Sequence, residues 1–170
     1  MKILLLIAFL MMTAYLMGVC LWKQQFPESL TETAKWLKWP WKLTWYVASC
    51  GGAVMAAPAL VSATADDLQF LAYLTTVGAL IVGMSATVQG NPDEMILKVG
   101  SWLTVIAATI MVLTSPHGWL FAIMMPVGLL MAIGKLKGWE LRRWRLWLAL
   151  SLMVILFLFC TQSGAVFSRI

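Results

Sequence analysis

The chain has 170 residues, of which 62% are hydrophobic and 11% charged, with a mean hydropathy of +0.88 and a net charge of +5. A soluble domain carries roughly 25% charged residues, and low hydrophobicity is the mark of a disordered chain, so the composition excludes both classes. The basic residues flank apolar runs, which argues against a nucleic-acid partner and for contact with lipid headgroups.

A membrane-crossing helix needs about 20 mostly apolar residues. Six runs of that order follow one another at 2–22, 43–63, 68–88, 97–115, 118–134 and 143–162. The expected fold is therefore all-α. It is a single transmembrane domain over residues 1–170, an integral bundle of six helices whose first partner is the lipid bilayer.

Span 1, "MKILLLIAFLMMTAYLMGVCLW", has the look of a secretion signal. Its apolar run exceeds the roughly 7–15 residues of such signals, and it lacks a small-x-small cleavage site, so it is expected to stay as a helix. The next loop, "KQQFPESLTETAKWLKWPWK", carries a capping box at Ser29-x-x-Glu32. Leu30, Ala34, Leu37 and Trp41 recur at helical spacing, and Pro40 limits the helix. This pattern predicts a short amphipathic helix lying in the cytoplasmic interface.

Spans 2, 3 and 4 carry small and polar faces, which in lipid mark helix contacts. Span 2 presents Ser49, Gly52 and Ala56. In span 3, Asp67, Thr75, Gly78, Ser85 and Gln89 fall within about 80° of arc. Span 4 aligns Ser101, Thr104, Ala108 and Ser115. These three spans are expected inside the bundle, as a packing seam or a polar pathway. Span 6, "LALSLMVILFLF", is bulky all round and is expected to face lipid. Pro58 in span 2 and Pro126 in span 5 each remove a backbone donor and should kink their helices. They stand in the middle span of each half, as the interrupted helices of inverted-repeat transporters do.

Ten of the twelve basic residues lie in the loops after spans 1, 3 and 5. The positive-inside rule places these loops in the cytoplasm and both termini outside, for a multi-pass protein of the bacterial inner membrane. Nine of the ten tryptophans fall near the basic loops and only Trp119 near the other side. Indoles favour such interfaces. Cys20, Cys50 and Cys160 lie within spans at no metal-like spacing, and are expected to be small apolar residues without a disulfide.

The candidate chemistry gathers on the outer side. Asp66 and Asp67 open span 3, where a Thr64-x-x-Asp67 capping box and the helix dipole would account for them. The only histidine, His117, stands in the outer turn "TSPHGW". Asp66, Asp67, Ser115 and His117 could meet in an outer vestibule that binds a cation, relays protons or activates water, with Asp66 the carboxylate expected to reach His117. One histidine cannot build a three-histidine zinc site, so no metal is expected, and no cofactor motif is present. The inner "NPD" at 91–93 marks the turn that starts span 4.

Two stretches, "FPESLTETA" and "LQFLAYLTTVGALIVGMSATVQG", resemble parts of small polytopic membrane proteins of gut Bacteroidetes and their phages. The resemblance covers roughly a third of the chain and implies no activity. Members of that group tend to carry a Tyr-Tyr pair after the Pro-x-Ser segment and a histidine where span 4 begins; Ala34-Lys35 and Lys98 stand there in this sequence.

Three functions fit these features. One is a transporter or channel for a small solute or ion, along the polar stripe. Another is a structural or partner-binding membrane subunit, a homo-oligomer or a component beside another membrane protein, since no ionisable residue lies deep in a span. The third is a membrane-embedded hydrolase or transferase acting on lipid, which requires Asp66, Asp67 and His117 to meet.

Overall fold

The computed structural model describes residues 2–87, 91–123, 125, 133 and 144–162. Among them the chain is entirely helical, and five helices are long and apolar enough to cross a membrane. Helix α1 covers Lys2–Lys23, α2 Leu30–Trp36 and α3 Lys42–Ala63. A 3-10 turn at Asp66–Leu68 leads into α4, Gln69–Ser85. Helix α5 covers Asn91–Leu113, a second 3-10 turn covers Gly118–Ile123, and α6 covers Trp144–Gln162. Of the expected span at 118–134, only this turn and residues 125 and 133 are described; Gln89 and Pro126 lie outside the described residues.

The long helices follow the apolar runs closely because each run ends where turn chemistry begins. Helix α5 starts six residues before its apolar run, at Asn91, where the Asn-Pro-Asp start signal stands. Pro58 sits exposed inside α3, whose helical course continues through it to Ala63. The irregularity in α3 is elsewhere, a π segment at Val47–Gly51.

Helix α2 forms for the expected reason: the Ser29 hydroxyl accepts the Glu32 N–H at 3.3 Å, and the Glu32 carboxylate returns to the Glu28 N–H. Its position corrects the interfacial expectation. Thr33 and Ala34 are both 0% exposed, Leu37 is buried, and the Tyr15 hydroxyl of α1 donates to Thr33 Oγ1 at 3.1 Å. The apolar face of α2 is spent on the bundle, against Tyr15, Val19 and Trp45, while Trp41 stays exposed.

Trp45 also departs from the interfacial belt. It is 1% exposed, its ring lies 5.6 Å from that of Tyr15, and its indole N–H donates to the Gly83 carbonyl at 2.8 Å. Beside it Lys42 Nζ donates to the Thr87 carbonyl at 3.1 Å, and Tyr46 bonds the Thr87 hydroxyl. These contacts fix the start of α3 to the end of α4.

Helix α6 does not simply face lipid. Ile155, Phe159 and Cys160 are buried in one core cluster with Leu60, Leu71 and Met111, and Phe157 packs on Phe9 of α1 at 4.9 Å. A helix that is bulky all round has no sequence stripe to tell its buried side from its exposed one. Helices α4 and α5 form the most extensive pair in the bundle.

Candidate functional site

The candidate residues fall in two places. One is the end of the bundle where α3 passes to α4 and α5 ends. The other is the seam between α3, α4 and α5.

At the bundle end, α5 closes with Thr114 and Ser115 bonding back to Ile110 and Val112. Pro116 cannot continue a helix. The Ser115 hydroxyl donates to the Val112 carbonyl at 2.6 Å and accepts the His117 N–H at 3.1 Å. The His117 carbonyl accepts the Leu120 N–H at 2.9 Å and so opens the second 3-10 turn. Backbone bonds thus hold His117 on both sides. Its ring stands edge-on to Phe159 of α6, at 6.4 Å between centroids and 80° between planes. Its Nδ1 is buried with no hydrogen-bond partner among the described residues.

Facing this turn, α3 ends at Ala63, and the buried Thr64 donates its hydroxyl to the Leu60 carbonyl at 2.7 Å. The Thr64–Asp67 capping box therefore does not form. The Asp66–Leu68 turn and α4 both begin without a side-chain cap, because the Thr64 hydroxyl has turned back to close α3. Asp66 and Asp67 are exposed; Asp66 accepts from Gln69 Nε2 at 2.9 Å, four atoms into the same turn's chemistry rather than across the bundle.

Between the two turns lies a pocket of about 260 Å³. Thr64, Thr114, Ser115 and His117 supply its polar wall, and Leu68, Met111 and Phe159 its bulky apolar wall. Ser115 and His117 thus share a cavity as the sequence suggested. The two carboxylates are not among its walls, although Ala65 and Leu68 on either side of them are. Thr64, Thr114, Met111 and Phe159 were not singled out as site residues. The first two could have been, since hydroxyls at matching ends of adjacent spans are visible in sequence. Met111 and Phe159 arrive by packing alone.

The arrangement limits the chemistry. The Ser115 proton is committed to a backbone carbonyl, and His117 meets Ser115 through its N–H, so no serine–imidazole nucleophile pair is made. Among the described residues no group of three or more His, Cys, Asp or Glu could hold a metal ion, and the three cysteines are free.

In the seam, each hydroxyl bonds within its own helix. Thr75 donates to Leu71, Ser85 to Ile81, Ser101 to Leu97, Thr104 to Gly100 and Ser49 to Trp45, all at 2.6–2.8 Å. The glycines are closed by neighbours. A Cβ on Gly78 would stand 2.4 Å from Thr104 Oγ1, one on Gly83 2.6 Å from Cys50 Sγ, and one on Gly100 2.6 Å from Ile81 Cγ2. Gly52 is buried against α1, near the Ala8 carbonyl. This is the close backbone approach that small residues permit. Compared with family models, with curated proteins and with solved structures, the chain matches none.

Proposed function

We propose that this chain is a multi-pass integral membrane subunit, structural or partner-binding, that works through helix contacts in the bilayer. Five long apolar helices whose large apolar side chains are widely exposed support insertion. The distribution of basic residues supports a topology with Lys23, Lys35, Lys38 and Lys42 in the cytoplasm and the Asp66–His117 end outside, in the bacterial inner membrane.

The observation that carries the partner-binding reading is Gly18. A Cβ there meets nothing within 4 Å, and Ala14, one turn earlier on the same face of α1, is exposed as well. Gly78, Gly83 and Gly100 are each closed by a neighbouring helix, so Gly18 is the exception. Lipid tails give helices no hydrophobic drive to associate, and small-xxx-small faces gain contact by letting backbones approach. The Ala14–Gly18 face therefore suits a further helix, from a second copy or another membrane protein.

Gly18→Leu tests this. The wild-type chain, extracted in mild detergent or lipid nanodiscs, is expected as a dimer or with a membrane partner by native mass spectrometry, and Gly18→Leu is expected as the lone chain. A lone wild-type chain would remove the reading. Transport, the other use of the polar stripe, needs open polar surface along α4, whereas its hydroxyls are committed to their own helix. Flux of protons or potassium through reconstituted liposomes would replace the subunit reading with a transport one.

A further inference from the structure

The pocket at the bundle end holds a buried imidazole nitrogen with nothing to bond. We infer that it is a binding site for a neutral, hydroxyl-bearing amphiphile of the diacylglycerol kind, with the hydroxyl on His117 Nδ1 and hydrocarbon against Leu68, Met111 and Phe159.

The polar wall decides the head of the ligand. The hydroxyls of Thr64, Thr114 and Ser115 donate to the carbonyls of Leu60, Ile110 and Val112. Their protons are used, and what they offer the pocket is oxygen lone pairs. No wall side chain is left to donate to the Nδ1 of His117, whose other ring nitrogen then carries the proton of the neutral ring. A buried acceptor without a donor is costly, of the order of 1–3 kcal/mol. The occupant must therefore bring an O–H or N–H.

The wall also decides the charge. It contains no lysine, arginine, aspartate or glutamate, so neither a phosphate nor an ammonium group finds a counter-ion. A neutral hydroxyl remains. The volume of about 260 Å³ is close to the lower end of ligand pockets, roughly 300 Å³, and takes a glycerol head with the first part of its chains. The choice of a lipid source rests on the membrane reading above, which fails separately, in the labelling experiment that closes the Discussion.

His117 is the only histidine, so selective ¹⁵N-histidine labelling of the full chain in nanodiscs reports this one ring. Titration with 1,2-dioctanoylglycerol is expected to move the Nδ1 resonance saturably. Its 3-O-methyl ether, which lacks the donor, is expected to move it at least tenfold less at equal concentration. Leu68→Trp, which fills the pocket without touching the imidazole, is expected to abolish the response. An Nδ1 resonance unmoved by the diacylglycerol means that water alone occupies the site and overturns the proposal. An equal response to the methyl ether, or a response that survives Leu68→Trp, overturns it too.

Discussion

Gly78 is where the bundle has least room, and replacing it gives the sharpest test of the packed seam. The Cβ of Gly78→Ala would sit 2.4 Å from Thr104 Oγ1, 2.8 Å from Thr104 N and 3.0 Å from the Gly100 carbonyl. Thr104 can turn its hydroxyl away, but only by giving up the bond to the Gly100 carbonyl. The backbone nitrogen cannot turn. Helices α4 and α5 must then part by more than half an ångström along their most extensive contact. Overpacking of this kind costs typically ~1–3 kcal/mol, and the higher helix propensity of alanine returns up to ~1 kcal/mol. The net expectation is a loss of about 1–2 kcal/mol. Reversible SDS unfolding in mixed micelles, followed by circular dichroism, measures it. Gly18→Ala is the internal control: the same change in open space should leave stability equal or slightly higher. Thr104→Ala on top of Gly78→Ala should recover part of the loss, because only the hydroxyl clash is relieved. If Gly78→Ala unfolds at or beyond the wild-type midpoint, the close approach of α4 and α5 is wrong, and with it the case for a closed seam.

Other consequences follow from single contacts. Trp45→Phe removes the bond to the Gly83 carbonyl and part of a fully buried side chain, and should cost about 1–3 kcal/mol in the same unfolding assay. Tyr15→Phe removes the hydroxyl that holds Thr33, so limited proteolysis should cut residues 24–30 faster while the unfolding midpoint falls by only about 1 kcal/mol. Asp66→Asn and Asp67→Asn, at exposed positions outside the pocket, should leave both stability and the His117 ring resonances unchanged; a shift in the ring on Asp66→Asn would bring the carboxylate back into the site.

The parts of the fold legible in the sequence are those governed by local chemistry. Apolar run length placed α1, α3 and α6, the Ser29–Glu32 pair started α2, and the small-residue stripe marked α4 and α5 as neighbours. The parts that were not legible depend on partners distant in sequence. Nothing in the residues 42–46 separates an interfacial tryptophan from one that reaches the Gly83 carbonyl. The π segment at Val47–Gly51 has no local signature, and the core side of α6 is hidden by apolar residues on all its faces. For the site, the outer turns led correctly to Ser115 and His117. The carboxylates misled because charge is conspicuous in an apolar chain, whereas Thr64 chose its bond within α3. The Ala14–Gly18 pair was readable as a small-xxx-small face; what distinguishes it from the other small pairs is the empty space beside it.

The central claim is a membrane-crossing bundle whose polar seam is closed by packing and whose His117 end faces out. Labelling of intact and permeabilised cells with an impermeant maleimide tests it most directly, using single cysteines in a chain whose three native cysteines are replaced. Asp66→Cys should label on intact cells, Lys35→Cys only after permeabilisation, and the buried Thr75→Cys in neither state. Labelling of Asp66→Cys and Lys35→Cys from the same side would contradict the crossing, and labelling of Thr75→Cys in folded protein would open the seam to water and contradict the packing.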